Sequence, residues 1–381
     1  MSSEREQPLR VLIAGGGVAG LEAALALRDL AGERVAMMML APGSDFVYRP
    51  MRVREPFAYS VAQRYPLEHM AREIGAELRR DKFKWLDSAA RVVHTEEGVE
   101  LSYDALILAL GASLRPRFKH AVTLDDRRLD EQLHGLVQDV EGGYVRRLVF
   151  LIPQPTPWPL PAYELALMTA RRAFDMSADV SISVVTPEDA PLAIFGSAAS
   201  DAVQRLLAEN RIETITSAHA ETPAAGKVEI HPGPRRLNAD RVVALPELFG
   251  PPARGVPKGS ENGFIPIDDR CQVRGLDRVY AAGDATDFPI KHGGIAAQQA
   301  DTAAGAIAAL AGAPVQPSKF HPVLHAILLG GDRPLYLSAH VTGGHGSSSE
   351  VSDTPTWSPP TKIAARYLGP FLESGDRAAL R

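Results

Sequence analysis

The chain has 381 residues, 45% of them hydrophobic, a single cysteine and a formal net charge of −5. That length supports more than one hydrophobic core, the mildly acidic balance gives no electrostatic basis for nucleic-acid binding, and one cysteine excludes an internal disulfide or a dithiol redox pair. No apolar run approaches the ~20 residues that span a bilayer, and the N-terminal MSSEREQPLR is too polar for a signal peptide, so a cytoplasmic protein without a transmembrane segment is expected.

Residues 10–14 read as a buried parallel strand and 18–31 as a helix, with Arg10–Leu21 spelling RVLIAGGGVAGL. Val35–Leu40 is a second apolar strand. Phe83–Val93 and Val99–Leu110 read as further strands, the latter closing on LALGA. A polar, charged stretch at 113–143 then interrupts the pattern. A second series follows: strand Arg147–Ile152, helix Ala162–Phe174, strand Val180–Val185, helix Ser200–Asn210 and strand Arg211–Thr216. Asp240–Leu245 leads into a Gly- and Pro-rich linker at 250–263. Val279–Ala297 reads VYAAGDATDFPIKHGGIAA, a strand, a turn and a helix start. The tail predicts a strand over 335–341, a flexible Gly/Ser segment at 343–349 and an amphipathic stretch at 361–373. Alternating strands and helices imply parallel sheets covered on both faces. The expected fold class is α/β, with two Rossmann-like, doubly wound domains, the second inserted into the first. Residues 1–115 and 249–315 form the two halves of the first domain, 116–248 the second domain and 316–381 a small C-terminal domain.

The chemistry concentrates in two motifs far apart in the chain. In Gly15-x-Gly17-x-x-Gly20, the first glycine permits a tight turn. The second lets the backbone approach a pyrophosphate, and the third allows close helix–strand packing. Gly16, Val18 and Ala19 complete the loop, and the helix N-terminus behind it favours phosphate charge. An acid expected ~20 residues later, to bind ribose, is missing. The second strand ends Met39-Leu40-Ala41-Pro42, with no carboxylate before Asp45. Ribose is thus left to backbone groups, to Asp45 or to a looser hold. YDALILALGA at 103–112, with Gly111, returns the chain towards the dinucleotide. At Gly283–Asp284 the glycine leaves room for a cofactor, and the carboxylate can accept hydrogen bonds from ribityl hydroxyls. Lys291-His292-Gly293-Gly294 then opens another helix.

GGGVAG, LALGA and VYAAGDAT resemble the flavoproteins with two dinucleotide-binding domains, the pyridine nucleotide–disulfide oxidoreductase superfamily. DFVYRPM (45–51), PLPAYELALM (159–168) and PIKHGGIAAQQAD (289–301) are similar to its sulfide:quinone oxidoreductase and type II NADH dehydrogenase branch. The resemblance implies an FAD cofactor. It places the helix start at Gly294 against the flavin N1–C2=O edge, where helix dipole and Lys291 would stabilise the reduced form. It also implies that Glu164 lies near the flavin and relays protons to a quinone or substrate. The plainer readings are a carboxylate at a helix start for Glu164 and a solvated side chain for Lys291. Tyr48, Arg49 and Pro50 either line the cofactor or pack as an ordinary loop. Trp158 either walls a cavity or fills core, and His292 is expected to point elsewhere. The tail stretch with Lys362 and Arg366 at its edge is expected to pack on the flavin domain. Peripheral membrane contact and a homodimer stay open.

Two departures bear on the reaction. Where NADH-using relatives repeat the glycine fingerprint, this chain has Pro153-Gln154-Pro155-Thr156-Pro157-Trp158-Pro159-Leu160-Pro161, five prolines and no glycine. Proline lacks an N–H and stiffens the loop, so the successive amides that cradle a pyrophosphate are absent. Sulfide-oxidising relatives use a cysteine pair beside the flavin. Here Cys271 stands alone in IDDRCQVRGL and reads as a surface or half-buried thiol away from the cofactor. Histidines 219, 231, 321, 325, 340 and 345 show no metal-site spacing. The resulting expectation is an FAD-dependent oxidoreductase that takes two electrons from an unidentified small-molecule donor and passes them to a quinone-like acceptor. An NAD(P)H-dependent reductase with a non-classical nucleotide site and a non-enzymatic FAD-binding scaffold remain as alternatives.

Overall fold

The computed structural model describes residues 7–59, 61–259, 261–330, 333–342 and 345–379. Leu9–Ala14 lies at the centre of a five-stranded parallel sheet. Ala105–Leu108 and Val35–Leu40 flank it, with Val279–Ala281 and Glu77–Arg79 at the edges. Val11, Leu12, Ile13 and Ala14 are all buried, which is why the strand reads as an unbroken apolar run. The helices Val18–Ala31 and Gly293–Leu310 pack on each other, and both bury many alanines, among them Ala19, Ala23 and Ala26 in the first and Ala296, Ala300 and Ala303 in the second. Alanine faces let their axes approach closely, so both helix starts reach the same end of the sheet.

A second five-stranded parallel sheet runs Val122–Thr123, Arg241–Ala244, Arg147–Leu151, Ser181–Val185 and Ile212–Ile215. The chain crosses between the two sheets through Ser113–Arg115 and Glu247–Phe249, which pair antiparallel. The tail forms an antiparallel sheet of Val323–Leu328, Leu335–Thr342 and His345–Ser352. Leu324, Ala326 and Leu328 join the core of the second domain, whereas Ile363, Ala365, Leu368 and Leu372 join the core of the first. The tail therefore fastens one domain to the other.

Several elements differ from expectation. The polar stretch 113–143 contains the helix Leu129–Glu141, whose buried Leu129, Leu133, Leu136, Val137 and Val140 follow helical spacing among charged neighbours. The expected strand Phe83–Val93 divides into Phe83–Asp87 and part of Val92–Thr95, because the chain turns at Arg91 with φ 53°. Val99–Leu110 likewise divides into Glu100–Ser102 and Ala105–Leu108. Residues 345–349 of the expected flexible segment are in a strand, and 343–344 lie outside the described residues. The last helix is Leu368–Ala379 rather than 361–373, with Pro370 in its first turn, where a missing N–H costs nothing. Among the described residues no helix is long and apolar enough to cross a membrane.

Candidate active site

Three of the four glycines in the first loop are demanded by the protein's own packing. A Cβ on Gly15, at φ 135°, would stand 2.0 Å from the Ala109 carbonyl oxygen, and one on Gly20 2.0 Å from that of Gly15. A Cβ on Gly16 would meet Ala41 Cβ and Leu67 Cδ1, each at 2.9 Å. Gly17 is different. Its φ of −90° suits any residue, and an added Cβ would have no atom within 4 Å. The space it opens onto lies at the start of Val18–Ala31, where backbone N–H groups lack partners inside the helix.

The second motif arrives at the same place. Gly283, at φ 79°, sits so that a Cβ would be 3.3 Å from both Ala19 and Ala296. The turn is held by Gly283 N–H donating to Gln299 Oε1 at 2.8 Å and by Thr286 Oγ1 donating to Gly283 O at 2.9 Å. Asp284 is half-buried, and its carboxylate makes no hydrogen bond among the described residues. Burial raises its pKa against the pull of Lys291. Lys291 is itself buried, donates from Nζ to Thr286 O, and lies 3.8 Å from the Phe264 ring centroid. Burial pushes it down to about 8, while Asp284 and Asp287 act in the other direction. Gly111, at φ 69°, also faces open space.

A second cluster forms where the tail crosses both domains. Glu164 and Lys362 are buried together, with Lys362 Nζ 2.7 Å from each carboxylate oxygen. Leu329 N–H also donates to Glu164 Oε1 at 2.9 Å, and Lys362 Nζ reaches Pro50 O at 3.3 Å. Tyr48 Oη accepts from Ile363 N–H at 2.8 Å. Burial raises the Glu164 pKa although Lys362 opposes the shift. His292 caps the helix Gly293–Leu310, its Nδ1 accepting from Gly294 N–H at 3.2 Å. Its ring lies against Trp158, centroids 4.4 Å apart. The double glycine makes room for this cap: a Cβ on Gly293 would meet Ile363 Cγ1 at 2.8 Å, and one on Gly294 the His292 ring at 3.0 Å.

The family model for pyridine nucleotide-disulphide oxidoreductases matches residues 9–137 and 162–306, a span that includes both glycine motifs now seen to meet. The chain belongs to that family. It is an FAD-dependent oxidoreductase, and the opening beside Gly17, the uncommitted Asp284 carboxylate and the two convergent helix starts fit that cofactor. The flavoprotein is 27% identical over 298 residues to an NADH dehydrogenase-like protein of Mycobacterium tuberculosis, covering 72% of each chain. Its fold is similar to that of a sulfide:quinone oxidoreductase from Aquifex aeolicus (TM-score 0.78, 19% identity, 91% of this chain and 87% of that one). It is also similar to a ferredoxin reductase from Rhodopseudomonas palustris (TM-score 0.67, 18% identity, 88% of this chain and 83% of that one).

Of the residues singled out in the sequence, Gly15, Gly16, Gly17, Val18, Ala19, Gly20, Gly283 and Asp284 come together at the first sheet. Arg49 makes a half-exposed ion pair with Asp126 at 3.3 Å, and both charges act on the Asp284 carboxylate. Cys271 is not a surface thiol: it is fully buried in a turn at φ 61°, and burial pushes its pKa up, so no thiolate is available. Two residues carry more than their sequence signal suggested. Lys362 was an edge residue of an amphipathic stretch, and its partner is distant in the chain. His292 was expected to point elsewhere; a histidine directly before a Gly-Gly helix start was the available clue. Away from the site, Glu221, Glu229 and His231 gather within 4.8 Å on an outer sheet, but Glu229 is paired with Arg236 at 3.1 Å.

Lys291 carries a pH-dependent prediction. With Lys291 at the flavin edge, its ammonium would favour the reduced cofactor, so Lys291→Ala is expected to lower the two-electron potential by roughly 30 mV with FAD still bound. Because Lys291 loses its proton near pH 8, the gap between the two proteins is expected to close above that pH. Redox titrations at pH 6.5 and 9.5 check this, and equal potentials at pH 6.5 exclude the role.

Proposed function

We propose that this flavoprotein passes two electrons to a quinone-like acceptor from a donor other than NAD(P)H, with Glu164 and Lys362 handling the protons. FAD, when bound, supplies the two-electron chemistry. The Gly15–Gly20 loop would hold its pyrophosphate, Asp284 its ribityl chain, and Gly294 and Lys291 its flavin edge. The observation that carries the proposal is the Glu164–Lys362 pair, an acid and a base sealed from bulk water at the meeting of three segments. A buried carboxyl group with a raised pKa holds a proton more readily than an exposed one and can accept and return it, and a facing ammonium can donate one to a carbonyl oxygen.

The second domain supports a donor other than NAD(P)H. Its first loop is the proline run. At the end of its second strand, where nucleotide-binding relatives present an acid to ribose, Glu188 is already engaged. Tyr163 Oη donates to Glu188 Oε2 at 2.7 Å and Thr186 Oγ1 to the same oxygen at 3.0 Å. An NAD(P)H reductase is the second reading, supported by the name of the Mycobacterium relative. Anaerobic stopped-flow mixing separates the two. NADH and NADPH are expected to leave the flavin oxidised, whereas decylubiquinone reoxidises chemically reduced protein with saturation. Saturable bleaching by NADH at ~10 s⁻¹, a typical turnover rate, would reverse the assignment.

A further inference from the structure

Resting on the acceptor reading above, we infer that His292 binds the acceptor: its Nε2–H donates a hydrogen bond to a carbonyl oxygen of a neutral, planar, quinone-like molecule lodged between the proline loop and the tail. The tautomer follows from the cap. Nδ1 accepts the Gly294 N–H at 3.2 Å and so carries no proton. In a neutral ring the proton then sits on Nε2. The ring is neutral because burial, aided by His325 and Lys362, lowers its pKa to about 3.

That Nε2–H has no hydrogen-bond partner among the described residues, although the side chain is only 7% exposed. The Nε2 atom is not itself enclosed, so in this largely buried ring it is the edge that an ordered water or a ligand can reach. Capping alone does not explain the residue. Serine, threonine, aspartate and asparagine are the usual caps, whereas the imidazole extends beyond the cap to Trp158, which also meets Phe195 edge-on at 5.9 Å. On the tail side His325 lies against Trp357 at 5.0 Å, and Lys362 is close enough to depress the imidazole pKa. Aromatic walls with a few polar groups are the usual makeup of a site for a flat, mostly apolar ligand. A neutral donor suits a carbonyl better than an anion, which would be better met by an imidazolium.

His292→Ser tests this, because serine retains a capping oxygen and removes the Nε2 donor. The expected result is unchanged FAD content and flavin spectrum, a melting temperature lowered only by the lost ring packing on Trp158, and KM for decylubiquinone raised about tenfold, the loss of one hydrogen bond. A variant with wild-type KM overturns the role of His292 alone. Wild-type protein that decylubiquinone does not reoxidise overturns the acceptor reading and this inference together. Loss of flavin or a shifted flavin spectrum in the variant assigns the donor to the cofactor and overturns the inference. A readout without turnover is the ¹⁵N spectrum of histidine-labelled protein, with His292 assigned from the variant. Nδ1 is expected to be unprotonated and Nε2 protonated from pH 5 to 8, and the Nε2 resonance to move when decylubiquinone is added. A ring that titrates in that range, or an Nε2 signal indifferent to the quinone, overturns the inference.

Discussion

Gly17→Val is expected to fold normally and to purify without FAD. A valine at φ −90° is unstrained, and its Cβ meets nothing of the protein within 4 Å. Its methyl groups would enter the space at the start of Val18–Ala31, where the pyrophosphate would approach the backbone. Losing that approach is expected to weaken FAD binding by a factor of 100 or more, about 2.7 kcal/mol. Gly15→Val and Gly20→Val serve as contrasts, since each would drive a Cβ to 2.0 Å from a carbonyl oxygen and damage the fold as well. Flavin absorbance per chain, read beside circular dichroism and thermal melting, distinguishes the cases. A folded Gly17→Val protein with one FAD per chain would place the pyrophosphate elsewhere.

Lys362→Met is expected to be the most destabilising change at the second cluster. It leaves Glu164 buried without its counter-ion, and breaking one side of a buried pair costs about 3–5 kcal/mol. Adding Glu164→Gln is expected to recover most of that, because the unpaired charge disappears while Leu329 N–H keeps an acceptor. The pH dependence has a definite sign. Burial already raises Glu164 above the ordinary 4.5, and losing Lys362 removes the opposing influence and raises it further. The folded variant therefore holds the carboxyl proton more tightly than the unfolded chain. Its deficit is small at low pH, where the group is protonated in both states, and grows as pH rises through the folded pKa. Denaturant midpoints at pH 4.5 and 8 for the wild type, the single and the double variant check this. A single variant with the wild-type midpoint at pH 8 would show that Glu164 is already neutral there.

Much of the glycine loop and the strands behind it was legible before folding because their constraints are local. Gly15 and Gly20 are glycine for steric reasons set within one turn, and Leu9–Ala14 and Ala105–Leu108 are continuous apolar runs because each is covered on both faces. The proline run at 153–161 was equally direct, since a missing N–H is a property of the residue itself. The helix Leu129–Glu141 was obscured because seven polar residues surround the five apolar ones that meet the core.

The tertiary structure decided the pairings. Gly283 meets Ala19 only because two alanine-faced helices pack side by side. Lys362 finds Glu164 across 198 residues because the tail sheet joins the second core while Ile363 and Leu368 enter the first. The same folding buries Cys271 and turns His292 into a neutral donor. Residue type alone records what a position demands of its own backbone and immediate neighbours. Which charge is buried, and beside what, depends on contacts between segments that no local pattern specifies.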